Sequence, residues 1–304
     1  LHKLCWSPLD RNPGTLFACC PQRYHTALKQ LFYDDPHYEH STCTQQQILT
    51  SWQTFHRTQK LQQFFTYKQA DALPYAYALI KNKDIARSRP IVSYYNHPLK
   101  KIFNLASRAL MFLLETCSHL THFTLPTTQH FLPQFYETLM QRTDETIEDK
   151  HCLITFMSRS FDVKNMYTEL PHASIIAAVE WLLDEARSTK YGRHQRVHCT
   201  LRDRRNVAFQ RSGGHVSITF AQIKAFVMFD LTNVFFALGK IVLRQHNGIP
   251  MGSPTSPSLA IVVCAHAEYL FHISIHDFPR FLAVRYMDDI HATATYRTLD
   301  TAER

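Results

Sequence analysis

Three aspartates have the placement to do chemistry. Asp162 closes a strand-like run that starts at Cys152, and Asp288-Asp289 stands between two further apolar, strand-like stretches at 281–286 and 290–295. Two strands around an acidic tight turn, beside a third strand that ends in a carboxylate, gather hard oxygen ligands compactly. Mg²⁺ suits such a set, because it binds a few carboxylates and leaves the rest of its shell to water and substrate phosphates. A pair of such ions about 3.5–4 Å apart can activate an attacking oxygen and stabilise a leaving one, which is what phosphoryl transfer requires. Each feature alone is ordinary, since Asp favours turns; the combination carries the reading.

The elements around these residues follow from periodicity. Ile175, Ile176, Val179, Leu182 and Leu183 recur at helical spacing and define one buried face. A second helix is expected from Thr219, where Thr219 and Gln222 have the form of a capping box, carrying Ile223, Phe226, Val227 and Val234 to a stop at Gly239. Lys240 to Arg244 reads as a strand, and a small-residue helix runs from Ser258 to Phe271. Upstream, 76–79 and 90–93 read as a strand pair joined by a basic segment, and Asn104 to Glu115 as an apolar helix. Residues 1 to about 70 mix turn signals (10–14, 34–36) with helical patterns near 24–32 and 45–58. The alternation gives an α+β class with a mainly antiparallel sheet.

The chain has 304 residues, 45% of them hydrophobic, and a net charge of +8. That excess favours a polyanionic partner, since neutralising phosphates releases counterions. The segment 187–211 is especially basic, either a loop or hairpin facing nucleic acid or a solvated surface loop. Among eight cysteines there is no Cys-x-x-Cys pair, which argues against a zinc ribbon; His194, His198 and Cys199 lack a second Cys pair to complete a site. No apolar run reaches the roughly 20 residues of a membrane span. The chain starts at Leu1 and stops at Arg304 in mid-pattern, so it is expected to be a fragment, intracellular and without a membrane partner.

Tyr286-Met287-Asp288-Asp289, flanked by apolar strand residues, resembles the Tyr-x-Asp-Asp box of reverse transcriptases. The run Phe161-Asp162-Val163-Lys164-Asn165-Met166-Tyr167 is similar to their first palm motif. The stretch from Gln245 through Gly248, Pro250, Gly252 and Ser253 to Pro257 resembles the loop and helix that pack against the incoming nucleotide and template. Arg89-Pro90-Ile91 resembles the fingers motif whose Arg contacts the triphosphate. The four occur in the family's order. Leu9-Asp10-Arg11-Asn12, Gly14, Cys20-Pro21 before Tyr24, Leu170-Pro171, the run from Asn233 to Gly239, and Glu268 resemble Penelope-like retroelement polymerases in particular, over most of 8–296. Telomerase is a related neighbour. Lys81-Asn82-Lys83 departs from the usual His-Lys of that segment, and no GIY-YIG endonuclease follows.

The resemblance implies a right-hand polymerase. Residues 1–155 would be fingers with an N-terminal extension. Residues 156–304 would be palm, an antiparallel sheet packed on helices, with a basic fingers-side insertion near 188–240; the thumb would be absent. It implies an RNA-directed DNA polymerase of a retroelement, nuclear if the host is eukaryotic, with RNA template, DNA or RNA primer and dNTPs as partners. Asp162, Asp288 and Asp289 would be catalytic, and with Val163 would bind two Mg²⁺, with Mn²⁺ as a substitute. Lys83, Arg89, Tyr167, Gln245 and Gly252 would bind the dNTP, with Lys81 competing for the role of Lys83; Gly248, Pro250, Ser253, Tyr286 and Met287 would face template and primer. A Lys–Arg pair can clamp phosphates, the Arg bidentately. The Tyr167 ring would lie beneath the sugar and leave no room for a 2′-hydroxyl, which also separates this reading from an RNA-making polymerase. Gly248 and Gly252 suggest a backbone with positive φ or close approach to a ligand. Gln245 would contact the template or brace the loop. The rival reading is a domesticated or decayed copy that only binds RNA.

Overall fold

The computed structural model describes residues 4–68, 72–130, 133, 152–201, 207–274 and 281–299. β1 (Cys5–Asp10) and β2 (Asn12–Cys19) form a hairpin turned at Arg11, φ +60°. Pro21 opens α1 (Pro21–Leu28), where its missing N–H costs nothing. β3 (Tyr38–His40) precedes α2 (Gln45–Thr58), which starts at a complete capping box: the Thr44 hydroxyl accepts from Gln47 N–H, and the Gln47 side chain accepts from Thr44 N–H. β4 (Ala76–Lys81) and β5 (Ser88–Val92) pair antiparallel, and α3 (Lys100–Thr116) follows. The first sheet has the order β2-β1-β4-β5, with β1 parallel to β4.

The second half contains β6 (Cys152–Asp162), the short α4 (Met166–Glu169) and α5 (His172–Ser188). Then come β7 (Arg196–Thr200), β8 (Val207–Ala208), β9 (His215–Thr219) and α6 (Phe220–Thr232). β10 (Phe235–Leu238), β11 (Ile241–Gln245), α7 (Ser256–Ser274), β12 (Phe281–Tyr286) and β13 (Asp289–Leu299) complete the described chain. Three antiparallel sheets result, ordered β12-β13-β6, β10-β11-β3 and β8-β7-β9. α3, α5, α6 and α7 pack on one another around Leu110, Leu182, Phe226 and Leu259, all without accessible surface. Each such side chain contributes roughly 1.5–3 kcal/mol over leaving it in water. Among the described residues no helix is long and apolar enough to cross a membrane.

At three places the structure adds to the reading or departs from it. Residues 5–19, of which 10–14 read as a turn signal, form two strands that turn at Arg11: the prolines and Gly14 hide the strand pattern, β1 and β2 pair with each other, and β1 is tied to β4 at Leu9 and Asp10 and by a Ser7 hydroxyl bond to the Ala78 carbonyl at 3.0 Å. The helix expected to run to Gly239 ends at Thr232. Residues 235–238 are strand, because Gly239 at φ +62° turns them back onto β11 with Leu238 opposite Ile241. Within the stretch 188–240 basic residues share the chain with core elements. β7 and β9 turn Val197, Cys199 and Ile218 inward, and α6 belongs to the helical core; Arg202, Arg204 and Arg205 lie outside the described residues.

Candidate active site

The strand registers bring the aspartates to one end of one sheet. Asp289 lies opposite Asp162 across β13 and β6, and opposite Tyr286 across the hairpin with β12. Met287 and Asp288 make the two-residue turn, and Val163 N–H donates to the Asp288 carbonyl at 3.0 Å, tying the turn to the end of β6. Asp162 and Asp289 are exposed, while Val163 and Asp288 are half-buried. Tyr286 is exposed on the strand that enters the turn.

Met287 sits at φ +57°, a conformation that costs a side-chain-bearing residue about 1–3 kcal/mol unless its surroundings impose it. They do so through Arg285. Its Nη1 donates to the Met287 carbonyl at 2.9 Å and its Nη2 to Thr124 Oγ1 at 2.6 Å. Its Nε and Nη2 both reach the Glu268 carboxylate, projected from α7, and Glu268 also accepts the Phe123 N–H at 2.9 Å. Arg285 is 1% exposed and Glu268 7%, so this is a buried, fully bonded ion pair behind the acidic turn. Arg285 is absent from the expected site. The signal that could have found it is a lone Arg within an apolar strand, matched by a lone Glu in an apolar helix.

The donor set is chemically suited to a hard divalent cation: carboxylates gathered at one sheet end. Among the described residues no three carboxylate, imidazole or thiol side chains converge closely enough to share an ion, at the aspartates or at His194, His198 and Cys199. The backbone gathers the aspartates; the side chains as they stand do not close a cage.

Tyr167 lies in the short α4 and is half-buried. Burial raises its phenol pKa, reinforced by the negative charge of Asp288 and opposed by the positive charge of Arg89. Arg89 is one-third exposed on β5, and its Nε is held by Asp10 of β1 at 3.1 Å. Lys83 is exposed in the β4–β5 connection, and Lys81 is half-buried at the end of β4, opposite Asp10 in the parallel register.

The loop 248–257 is braced from within. A Cβ on Gly248, at φ +72°, would meet the Thr168 and Tyr167 carbonyls at 2.5 and 2.6 Å; one on Gly252, at φ +132°, would meet the Val92 carbonyl at 2.1 Å. The close approach that both glycines allow is to protein backbone. Gly248, Pro250 and Ser253, expected at template and primer, are buried. The Ser253 hydroxyl donates to Asp230 at 2.6 Å, and Tyr94 donates to the same carboxylate at 3.0 Å. Asp230 also accepts from Thr255, and its burial lifts its pKa to about 6. Gln245 is 1% exposed and its Nε2 donates to the Asn247 carbonyl at 2.9 Å.

No family model matches the chain, and no curated protein does. Solved structures do. Apo telomerase from Candida tropicalis, truncated from its C-terminal domain, superposes with a TM-score of 0.58 at 12% identity, over 95% of this chain and 52% of that one. Apo telomerase from the same organism gives 0.54 at 11% identity, over 84% and 46%. The Candida tropicalis enzyme in complex with a TWJ fragment of telomeric RNA gives 0.53 at 13% identity, over 81% and 40%. The chain has a telomerase-like fold. It spans about half the length of the solved telomerases it matches.

Proposed function

We propose that the chain is the fingers and palm of an RNA-directed DNA polymerase. The observation that carries this is the register of Asp162 opposite Asp289, with Asp288 in the adjoining turn at the same sheet end. The telomerase-like fold agrees with the four ordered motifs, and the stretches around Leu9-Asp10-Arg11-Asn12 and 233–239 favour a Penelope-like retroelement as the source.

In this reading a primer 3′-hydroxyl attacks the α-phosphate of a dNTP, and pyrophosphate leaves. Asp162, Asp288 and Asp289, with Val163, would hold two Mg²⁺, which when bound supply charge neutralisation at the attacking and leaving oxygens. Arg89, with its Nε on Asp10, presents its two terminal nitrogens to the triphosphate beside Lys83. Tyr167 bars the ribose 2′-hydroxyl, and Tyr286 and Met287 border the primer end.

Primer extension on an RNA template with Mg²⁺ and dNTPs tests this in the full-length protein. Asp288→Asn/Asp289→Asn is expected to abolish extension and leave the thermal melt close to the parent's. Parent protein that binds RNA and never extends a primer would instead favour the RNA-binding-only reading. Tyr167→Ala is expected to raise ribonucleotide incorporation; unchanged rejection of ribonucleotides would remove the steric-gate role.

A further inference from the structure

On the far side of the Val92–Ser93 segment from the loop 248–257 lies a cleft of about 620 Å³ that none of the motifs above accounts for. Val92 N–H donates to the Met251 carbonyl, and Ser93 N–H to the Tyr75 carbonyl, both at 2.9 Å, so adjacent residues at the end of β5 hold the loop 248–257 and the cleft-lining Tyr75. Lys68, Lys100 and Lys101 line the cleft, and no carboxylate does among the described residues. Two tyrosines on its rim are open to solvent: Tyr95 is 77% exposed and Tyr75 58%. No other large hydrophobic side chain among the described residues is as exposed as Tyr95. Its ring carries the Lys100 ammonium at 5.6 Å, and Lys101 stands 5.7 Å from the ring of Phe65 inside the cleft. His97 at the floor is stacked on Tyr94 and against Trp52, and its burial holds it neutral, so the cleft's positive charge belongs to the lysines.

We infer that this cleft binds single-stranded nucleic acid, with bases stacked on Tyr95 and Tyr75 and the phosphate backbone tracked by Lys68, Lys100 and Lys101. Leaving large aromatic rings in water is costly, and aromatic faces alternating with cations are the surface that unpaired bases and phosphates require. A duplex offers no free base face to such rings. An acidic peptide would satisfy the lysines and leave the tyrosines unused. That the strand is template approaching the copying site rests on the polymerase reading above; the binding surface itself does not.

The test is fluorescence anisotropy with labelled oligouridylate, its deoxy counterpart, a blunt duplex and poly-glutamate, using the full-length protein. Tyr95→Ala is expected to weaken single-strand binding about tenfold, within the roughly five- to 150-fold range for one stacked base. Lys100→Ala/Lys101→Ala is expected to reduce the slope of log K against log salt by about 1.4, near 0.7 for each phosphate left without its lysine on a single strand. Tyr95→Phe, which keeps the ring, should bind like the parent and controls for folding. Equal affinity of the Tyr95→Ala and double-lysine variants with the parent would overturn the inference, as would duplex or poly-glutamate binding as tightly as the single strands. Oligouridylate tighter than its deoxy counterpart identifies RNA as the strand, and the reverse order DNA; either supports the site. Primer extension separates the two claims. Groove-dependent binding in a protein that never extends a primer leaves this site standing and removes the polymerase reading. Normal extension by the groove variants, with unchanged template affinity, does the opposite.

Discussion

Around α3, α5, α6 and α7 the protein buries one large apolar side chain after another, Leu110, Phe226 and Leu182 among those with no accessible surface. Around the sheet that carries the aspartates, the separate buried cluster is only Phe123, Ala283 and Ala292 among the described residues, with Phe281 against it. The first region is held by packing, which is strong and non-directional. The second is joined to it through Arg285, Glu268, Thr124 and the Phe123 and Met287 backbones, where each bond has a donor, an acceptor and an angle. A turn that must present carboxylates in one geometry is better fixed by directional bonds than by apolar area. The helical core supplies stability to the sheet, and the ion pair supplies its position.

The strongest way to break this comparison is to take away one partner of the pair. Glu268→Ala leaves a buried guanidinium without its counter-charge and is expected to cost about 3–5 kcal/mol in chemical denaturation, with extension lost. Replacing both, Glu268→Leu/Arg285→Met, is expected to recover most of that stability, because an apolar pair of similar volume avoids the desolvation cost. In that double variant kcat should still fall while the KM values for dNTP and template hold, since the Met287 carbonyl no longer has its donor. A double variant with parental kcat would reduce the pair to a structural role. Phe226→Ala sharpens the contrast from the other side: about 3–5 kcal/mol of stability lost, with kcat per folded molecule unchanged.

The smallest expected effect concerns Asp230, a buried carboxylate that the helical core shares with the loop 248–257. Its folded pKa, about 6, lies above its unfolded value, so its contribution is fully present below about pH 4 and is lost as pH rises through 6. The span corresponds to about 3 kcal/mol at most. His97 opposes it: its folded pKa is pushed down to about 3 by burial, so its contribution is present above about pH 6.5 and lost as pH falls. The difference between parent and Asp230→Asn melting curves isolates the first effect, since His97 is common to both. The parent should lose stability relative to Asp230→Asn between pH 4 and 6, and a flat difference would show that the Tyr94 and Ser253 bonds hold the carboxylate ionised throughout.

Much of the frame was readable without coordinates. β6 ending at Asp162, the β12–β13 hairpin, the β4–β5 pair, α5 and the Thr219 capping box are all written in periodicity and turn chemistry within a dozen or so neighbouring residues. The order of the four motifs is likewise a property of the chain alone. Where reading failed, the deciding interaction was strand pairing, which side-chain periodicity does not record. Residues 5–10 pair with 12–19 and, at Leu9 and Asp10, with β4, and 235–238 pair back onto β11.

The sequence by itself determined which residues have the type and spacing for chemistry and which segments repeat at a helix or strand period, because both depend on side-chain type and near-neighbour spacing. Only the tertiary structure decided what those residues face. It set Asp289 against Asp162 and turned Gln245, Pro250 and Ser253 inward. It gave Arg89 to Asp10 and Arg285 to Glu268, and left Tyr95 and Tyr75 open beside three lysines. Burial and pairing are relations between segments far apart in the chain, settled by the most favourable joint packing of all of them, and no local window of sequence contains that sum.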